Sequence, residues 1–111
     1  MKVIFFVVLS IFFIAGCDEK NSWPRAEFDR AAWLHSAESE RYKWARDIID
    51  THRLDGLTNK QVTDLLGAPS SRISTGVTYV IKVGGQGFNK IYVLDIRFKE
   101  NIVEEYYIRG D

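Results

Sequence analysis

Apolar residues change their spacing twice along this chain. Val3 to Ile14 is a continuous apolar run, broken only by Ser10. Between residues 25 and 53 the apolar positions fall three and four apart: Phe28, Ala32 and Trp33, then Tyr42, Ala45, Ile48, Ile49 and His52. That spacing lines one face of a helix. The polar stretch His35-Ser36-Ala37-Glu38-Ser39 interrupts it. Two helices are therefore predicted, about 25–34 and about 39–52, with Ser36 or Ser39 as an N-cap. Asp47 and Asp50 are expected to face solvent, with Arg46 and Asp50 as an i,i+4 pair.

Leu57 to Pro69 encodes a short helix with both ends specified. Thr58 is an N-cap, and Gln61 three residues later completes a capping box. Leu57 and Val62 bracket the cap as a hydrophobic staple, and Val62, Leu65 and Leu66 form the buried face. Gly67 suits the positive φ at a helix end, and Pro69 prevents resumption. After Pro69 the period becomes two. Ser71, Ile73 and Thr75 suggest a short strand, and Val77 to Val83 a longer one. Gly84 to Asn89 reads as a turn-rich loop. From Ile91 to Lys99, Tyr92, Leu94, Ile96 and Phe98 share one face, while Asp95, Arg97 and Lys99 share the other. Glu100-Asn101 is a candidate two-residue hairpin turn leading into a last strand, Ile102 to Ile108. A regular hairpin would set Arg97 opposite Glu104.

Helices followed by consecutive antiparallel strands imply an α+β protein. The N-terminal helices are expected on one face of a three- to four-stranded antiparallel meander. The other face carries Lys82, Asp95, Arg97 and Lys99, with Val80, Val93 and Tyr107, and can stay wet.

The N-terminal run has the anatomy of a secretory signal: basic Lys2, an apolar middle, and small Ala15 and Gly16. It is too short to span a membrane comfortably. Ile14-Ala15-Gly16-Cys17 resembles the bacterial lipobox. That resemblance implies a lipoprotein signal peptide over 1–16, cleavage between Gly16 and Cys17, and lipidation of the Cys17 thiol. The membrane would then be a partner through that lipid, since two or more acyl chains anchor a protein stably. Residues 17–24 would form the tether and 25–111 a single domain, in the cell envelope and facing the periplasm. Asp18 leans toward the inner membrane. Trp23, beside Pro24, is expected near the membrane interface, where Trp is enriched. Removal of residues 1–16 leaves 95 of the 111 residues and a net charge of −1, from 14 basic and 15 acidic side chains.

Leu57-Thr58-x-x-x-Val62-x-x-Leu65-Leu66-Gly67-x-Pro69, a Tyr-bearing strand, and Leu94-Asp95-Ile96-Arg97-Phe98…Val103 together resemble the SmpA/OmlA group of small bacterial lipoproteins. That group includes the E component of the outer-membrane β-barrel assembly machinery. The resemblance covers residues 54–108 plus the lipobox. It implies two helices on a three-stranded antiparallel sheet, a layout shared with β-lactamase-inhibitor-like proteins. Residues 25–53, with Trp33, Arg41, Tyr42, Trp44 and Asp47, add to that pattern and resemble uncharacterised lipoproteins with the same C-terminal half.

Composition narrows the chemistry. Fifteen basic and fifteen acidic residues give zero net charge, which argues against a nucleic-acid binder. One cysteine excludes an internal disulfide and a cysteine-based zinc site. His35 and His52 converge with no nucleophile, and His35-x-x-Glu38 lacks further metal ligands. Gly85-x-Gly87 leads into a strand, so no helix N-terminus is available there to hold an anion. No catalytic, metal or cofactor residue is assigned, and the chain is read as a non-enzyme. The aromatics Trp23, Trp33, Trp44, Tyr79, Tyr92, Tyr106 and Tyr107 divide between core and interface. The expected role is a scaffold or accessory subunit that binds an envelope protein, and the SmpA/OmlA resemblance implies outer-membrane protein assembly or envelope integrity as the process. The alternative is an inhibitor or immunity-type lipoprotein that blocks an enzyme or toxin through the exposed sheet face and the 84–89 loop.

Overall fold

A computed structural model describes residues 23–84 and 90–110. Gly16, Cys17, Asp18 and the Gly85-x-Gly87 motif lie outside the described residues. Helix α1 spans Arg30–His35, a single 3-10 turn spans Glu38–Glu40, α2 spans Tyr42–Asp50, and α3 spans Asn59–Leu66. Strands β1 (Ser71–Ile73), β2 (Gly76–Val83), β3 (Ile91–Lys99) and β4 (Ile102–Gly110) follow. They form one sheet in the order β1-β2-β3-β4, each strand antiparallel to its neighbour. The protein is therefore α+β, with an antiparallel meander.

The first helix is shorter than its apolar spacing predicts. Asp29 caps it, accepting from the Ala32 amide at 3.3 Å, and the chain from Pro24 to Asp29 is not helical. Ser36 serves the opposite end from the one expected: it is the C-cap of α1, and its hydroxyl donates to the Trp33 carbonyl at 2.8 Å. Ser39 lies inside the 3-10 turn, and α2 begins at Arg41 without a side-chain cap. Helix α2 closes at Thr51, whose Oγ1 donates to the Asp47 carbonyl at 2.7 Å. His52 then turns to φ 54°, so it lies beyond the helix and is exposed rather than on the buried face.

Helix α3 has the expected ends. Gln61 N–H donates to Thr58 Oγ1 at 3.1 Å, and Thr58 N–H donates to Gln61 Oε1 at 2.9 Å. Gly67 adopts φ 84°, and its N–H reaches the Thr63 carbonyl. A Cβ there would also meet Leu34 Cδ2 at 3.0 Å, so both backbone and packing select glycine.

Residues 25–53 pack on the sheet rather than forming a separate arm. Trp33, Ala45 and Ile48 share one core cluster with Leu54, Val62 and Leu66 and with Val77, Tyr79, Ile81, Tyr92, Leu94 and Ile96 of the sheet. Phe98, Val103, Tyr106 and Ile108 close its edge. Trp33 sits at the centre. Its Nε1 donates to the Leu66 carbonyl at 2.9 Å, its ring meets Tyr79, and the Arg41 guanidinium lies 4.8 Å over it. Asp47 is buried at 5% exposure, not in solvent. It accepts from the Phe28 amide at 2.8 Å and from Arg25 at 3.4 Å, and so staples the non-helical 25–28 segment to α2. Asp50 meets Arg25 at 3.0 Å. Trp23 also belongs to the core, edge-on to Tyr42 (5.4 Å) and Tyr92 (4.9 Å), so it is not free to lie in a bilayer interface.

Candidate functional site: the open sheet face

The strand registers define the face opposite the helices. Thr78, Asp95 and Tyr107 form one cross-strand row, and Gly76, Arg97 and Glu105 the next. Val80, Val93 and Arg109 form a third, and Val83 pairs with Ile91 beyond it. Two irregularities decide what points here. A bulge between Val80 and Lys82 turns Lys82 to the helix side, where its ammonium lies 4.7 Å over the Tyr42 ring. The predicted wet face therefore loses Lys82. A second bulge between Arg97 and Phe98 leaves Glu104 without a register partner and sets Arg97 opposite Glu105. The hairpin turn itself is as expected, with Glu100 at φ 52° and Asn101 at φ 70°. Such paired positive values match the right-handed twist of the flanking strands.

At the middle of the face is a charge cluster. Asp95, expected in solvent, is only 1% exposed. Arg97 donates to it from Nε (3.2 Å) and Nη2 (3.4 Å), and Arg109 from Nε (3.2 Å). This hydrogen bonding and the Asp95 charge hold the Arg97 guanidinium above its usual pKa range. Gly76 makes room: a Cβ there would sit 2.9 Å from Arg97 Cδ and 2.3 Å from the Ile96 carbonyl oxygen. Two guanidinium groups on one buried carboxylate lock the central residues in place. Val93, next along β3, is buried as well, yet it stands outside the core cluster.

Apolar side chains surround the cluster. Among the described residues, the exposed large hydrophobics are Ile73, Val83, Ile91, Ile102 and Tyr107. Their registers place all five on this face: Ile73 opposite Gly76, Ile102 opposite Lys99, and Tyr107 opposite Asp95. No described helix contributes to it. Isolated exposed apolar residues are ordinary on any protein, but their confinement to one face is not.

Other expected positions are not drawn into a site. His35 Nδ1 contacts the Ala31 carbonyl within its own helix, and His52 lies near Asp55. Among the described residues, no three His, Cys, Asp or Glu side chains are placed to hold a metal ion. A depression of about 300 Å3 beside Arg30, Gln61, Asp64 and Leu65 is open to solvent, and Arg30 is engaged with the Asp64 carbonyl. Tyr79 is buried, donates to the Gly67 carbonyl at 2.7 Å, and has its pKa pushed up to about 12 by burial. Burial lowers the Arg41 pKa, against the pull of Glu38 and Tyr79.

No protein-family model, curated protein or solved structure matches the chain. Among the described residues, no helix is long and apolar enough to cross a membrane.

Proposed function

We propose that this chain is a lipid-anchored envelope protein that binds another envelope protein through its open sheet face, as a non-enzymatic scaffold or accessory subunit. One observation carries the docking reading: every exposed large apolar side chain among the described residues lies on that face, around the Asp95–Arg97–Arg109 cluster. Apolar groups around a fixed, hydrogen-bonded charge cluster suit protein recognition. The apolar groups supply desolvation, and Arg97 and Arg109 enter an interface already hydrogen-bonded to Asp95. The anchor rests on the Ile14-Ala15-Gly16-Cys17 motif, with Cys17 as the lipidated residue. The helix-on-meander order and the α3 capping residues support kinship with the SmpA/OmlA group. Outer-membrane protein assembly or envelope integrity is the corresponding process.

Site-specific photocrosslinking in native cells tests this. A photoreactive residue replacing Tyr107 should give a discrete adduct with an envelope protein. The same residue replacing Lys60, on the exposed side of α3, should not. Equal adduct patterns at the two positions would contradict the docking face. Capture of one secreted hydrolase or toxin, with loss of its activity, would place the chain among inhibitor or immunity proteins instead.

A further inference from the structure

The entry point of the tether fixes which end of the domain faces the bilayer. Trp23 is 8% exposed and wedged between Tyr42 and Tyr92, so the chain is held at that point. Tyr92 pairs with Lys82 at the β2–β3 end of the sheet. Cys17 lies six residues before Trp23. Six extended residues reach about 20 Å at most. An anchor on Cys17 therefore keeps this end, and not the Glu100–Asn101 hairpin at the far end, close to the lipid.

The chemistry of that end matches what it would meet. Val83 and Ile91 face each other across the strands at 54% and 40% exposure. On the helix side of the same end, the ammonium groups of Lys82 and Lys90 lie over the rings of Tyr42 and Tyr92, and that of Lys43, next to Tyr42, lies over Trp44. The described segments of this end, residues 42–43, 82–84, 90–92 and 109–110, contain no Asp or Glu. Asp95, deeper along β3, is held by Arg97 and Arg109. Two exposed apolar side chains on the open face and lysines over aromatic rings on the helix side form a small amphipathic tip. Lysines near an anionic membrane surface each favour contact by about fivefold, and apolar side chains can enter the headgroup boundary.

We propose that the β2–β3 end of the sheet, through Val83, Ile91, Lys43, Lys82 and Lys90, rests on the anionic bilayer surface that carries the anchor. The domain then stands on end, with the Glu100–Asn101 hairpin directed away from the lipid and the docking face roughly upright. This orientation rests on the proposed lipidation of Cys17.

The test uses full-length lipidated protein carrying Val83→Cys, whose introduced thiol is the only free one once Cys17 is lipidated. A nitroxide on it is compared with one on Asn101→Cys, in phosphatidylglycerol–phosphatidylcholine vesicles and in pure phosphatidylcholine vesicles. In the anionic vesicles the residue-83 label should be shielded from a water-soluble relaxant and reached by oxygen, whereas the residue-101 label stays aqueous. High salt should release the residue-83 label without releasing the protein, since at about 1 M the screening length falls to roughly 3 Å. Replacing the three lysines by Gln should lower the fraction in contact, by about fivefold for each charge. Equally aqueous labels on protein that floats with the vesicles would overturn the orientation alone. Equal contact on neutral vesicles would overturn the role of the lysines. Protein that does not float, with Cys17 unmodified, would overturn both the anchor and the orientation.

Discussion

Single residues in this protein act mainly through what burial forces on them. Asp95 is the clearest case. At 1% exposure its carboxylate oxygens are taken up by hydrogen bonds from Arg97 and Arg109. Replacing it with Ala would leave two neighbouring guanidinium groups without their shared acceptor. The expected cost in urea denaturation is about 1–3 kcal/mol, below the full penalty for breaking a buried pair because both arginines keep contact with water. The same variant should weaken crosslinking from position 107, since the centre of the docking face loses its order. Tyr79 makes the pH dependence testable. Unfolded tyrosine ionises near 10, whereas in the folded protein burial pushes Tyr79 up to about 12. Tyr106 is also pushed up to about 12, by burial and by its hydrogen bond to Asp55. A raised tyrosine pKa means that the unfolded chain releases its proton first. The stability from these groups is therefore full below about pH 10 and is lost as pH rises toward about 12. Urea midpoints measured across that window should fall steeply for the native protein. They should fall less steeply for Tyr79→Phe, which also starts lower for want of the bond to the Gly67 carbonyl. Parallel curves would contradict the assignment.

At the scale of elements, the sequence was most legible where the signals were local. The capping box at Thr58 and Gln61, the helix stop at Gly67 and the Glu100-Asn101 turn each depend on residues within a few positions of one another, and each stands as expected. Thr58→Ala should cost about 1 kcal/mol, read as a lower urea midpoint with an unchanged slope. A change well below half of that would mean that the box contributes little to α3. Features set by distant partners were not legible. Asp47 sits on the polar side of its helix pattern, and only the approach of Arg25 and the Phe28 amide makes that side interior. The bulges that turn Lys82 inward and pair Arg97 with Glu105 leave no mark in a strict alternation of apolar and polar residues. Asp95 and Arg97 were rightly placed on the second face. Its burial needed Arg109 from the next strand, in a register shifted by one residue. Trp23 misled for the opposite reason. Its position near the lipidation motif suits an interface residue, but the gap between Tyr42 and Tyr92 takes it into the fold.

For the whole molecule, the two faces of the sheet divide the work. One is closed by the helices around Trp33 and makes the fold stable. The other is left uncovered by the described helices; in the proposed arrangement Ile73, Ile102 and Tyr107 meet a protein partner, and Val83 and Ile91, at its end, meet the bilayer. An anchor at Cys17 would give that face a fixed location, and with Trp23 bound in the core it would give it a restricted orientation as well. The anchor and the orientation therefore depend on the state of Cys17 in the cell. Intact and peptide mass measurement of the protein extracted from native membranes examines it directly. The expected product begins at Cys17, lacks residues 1–16, and carries a diacylglyceryl group on the sulfur. A product that retains residues 1–16, or that carries an unmodified thiol at Cys17, would contradict the account.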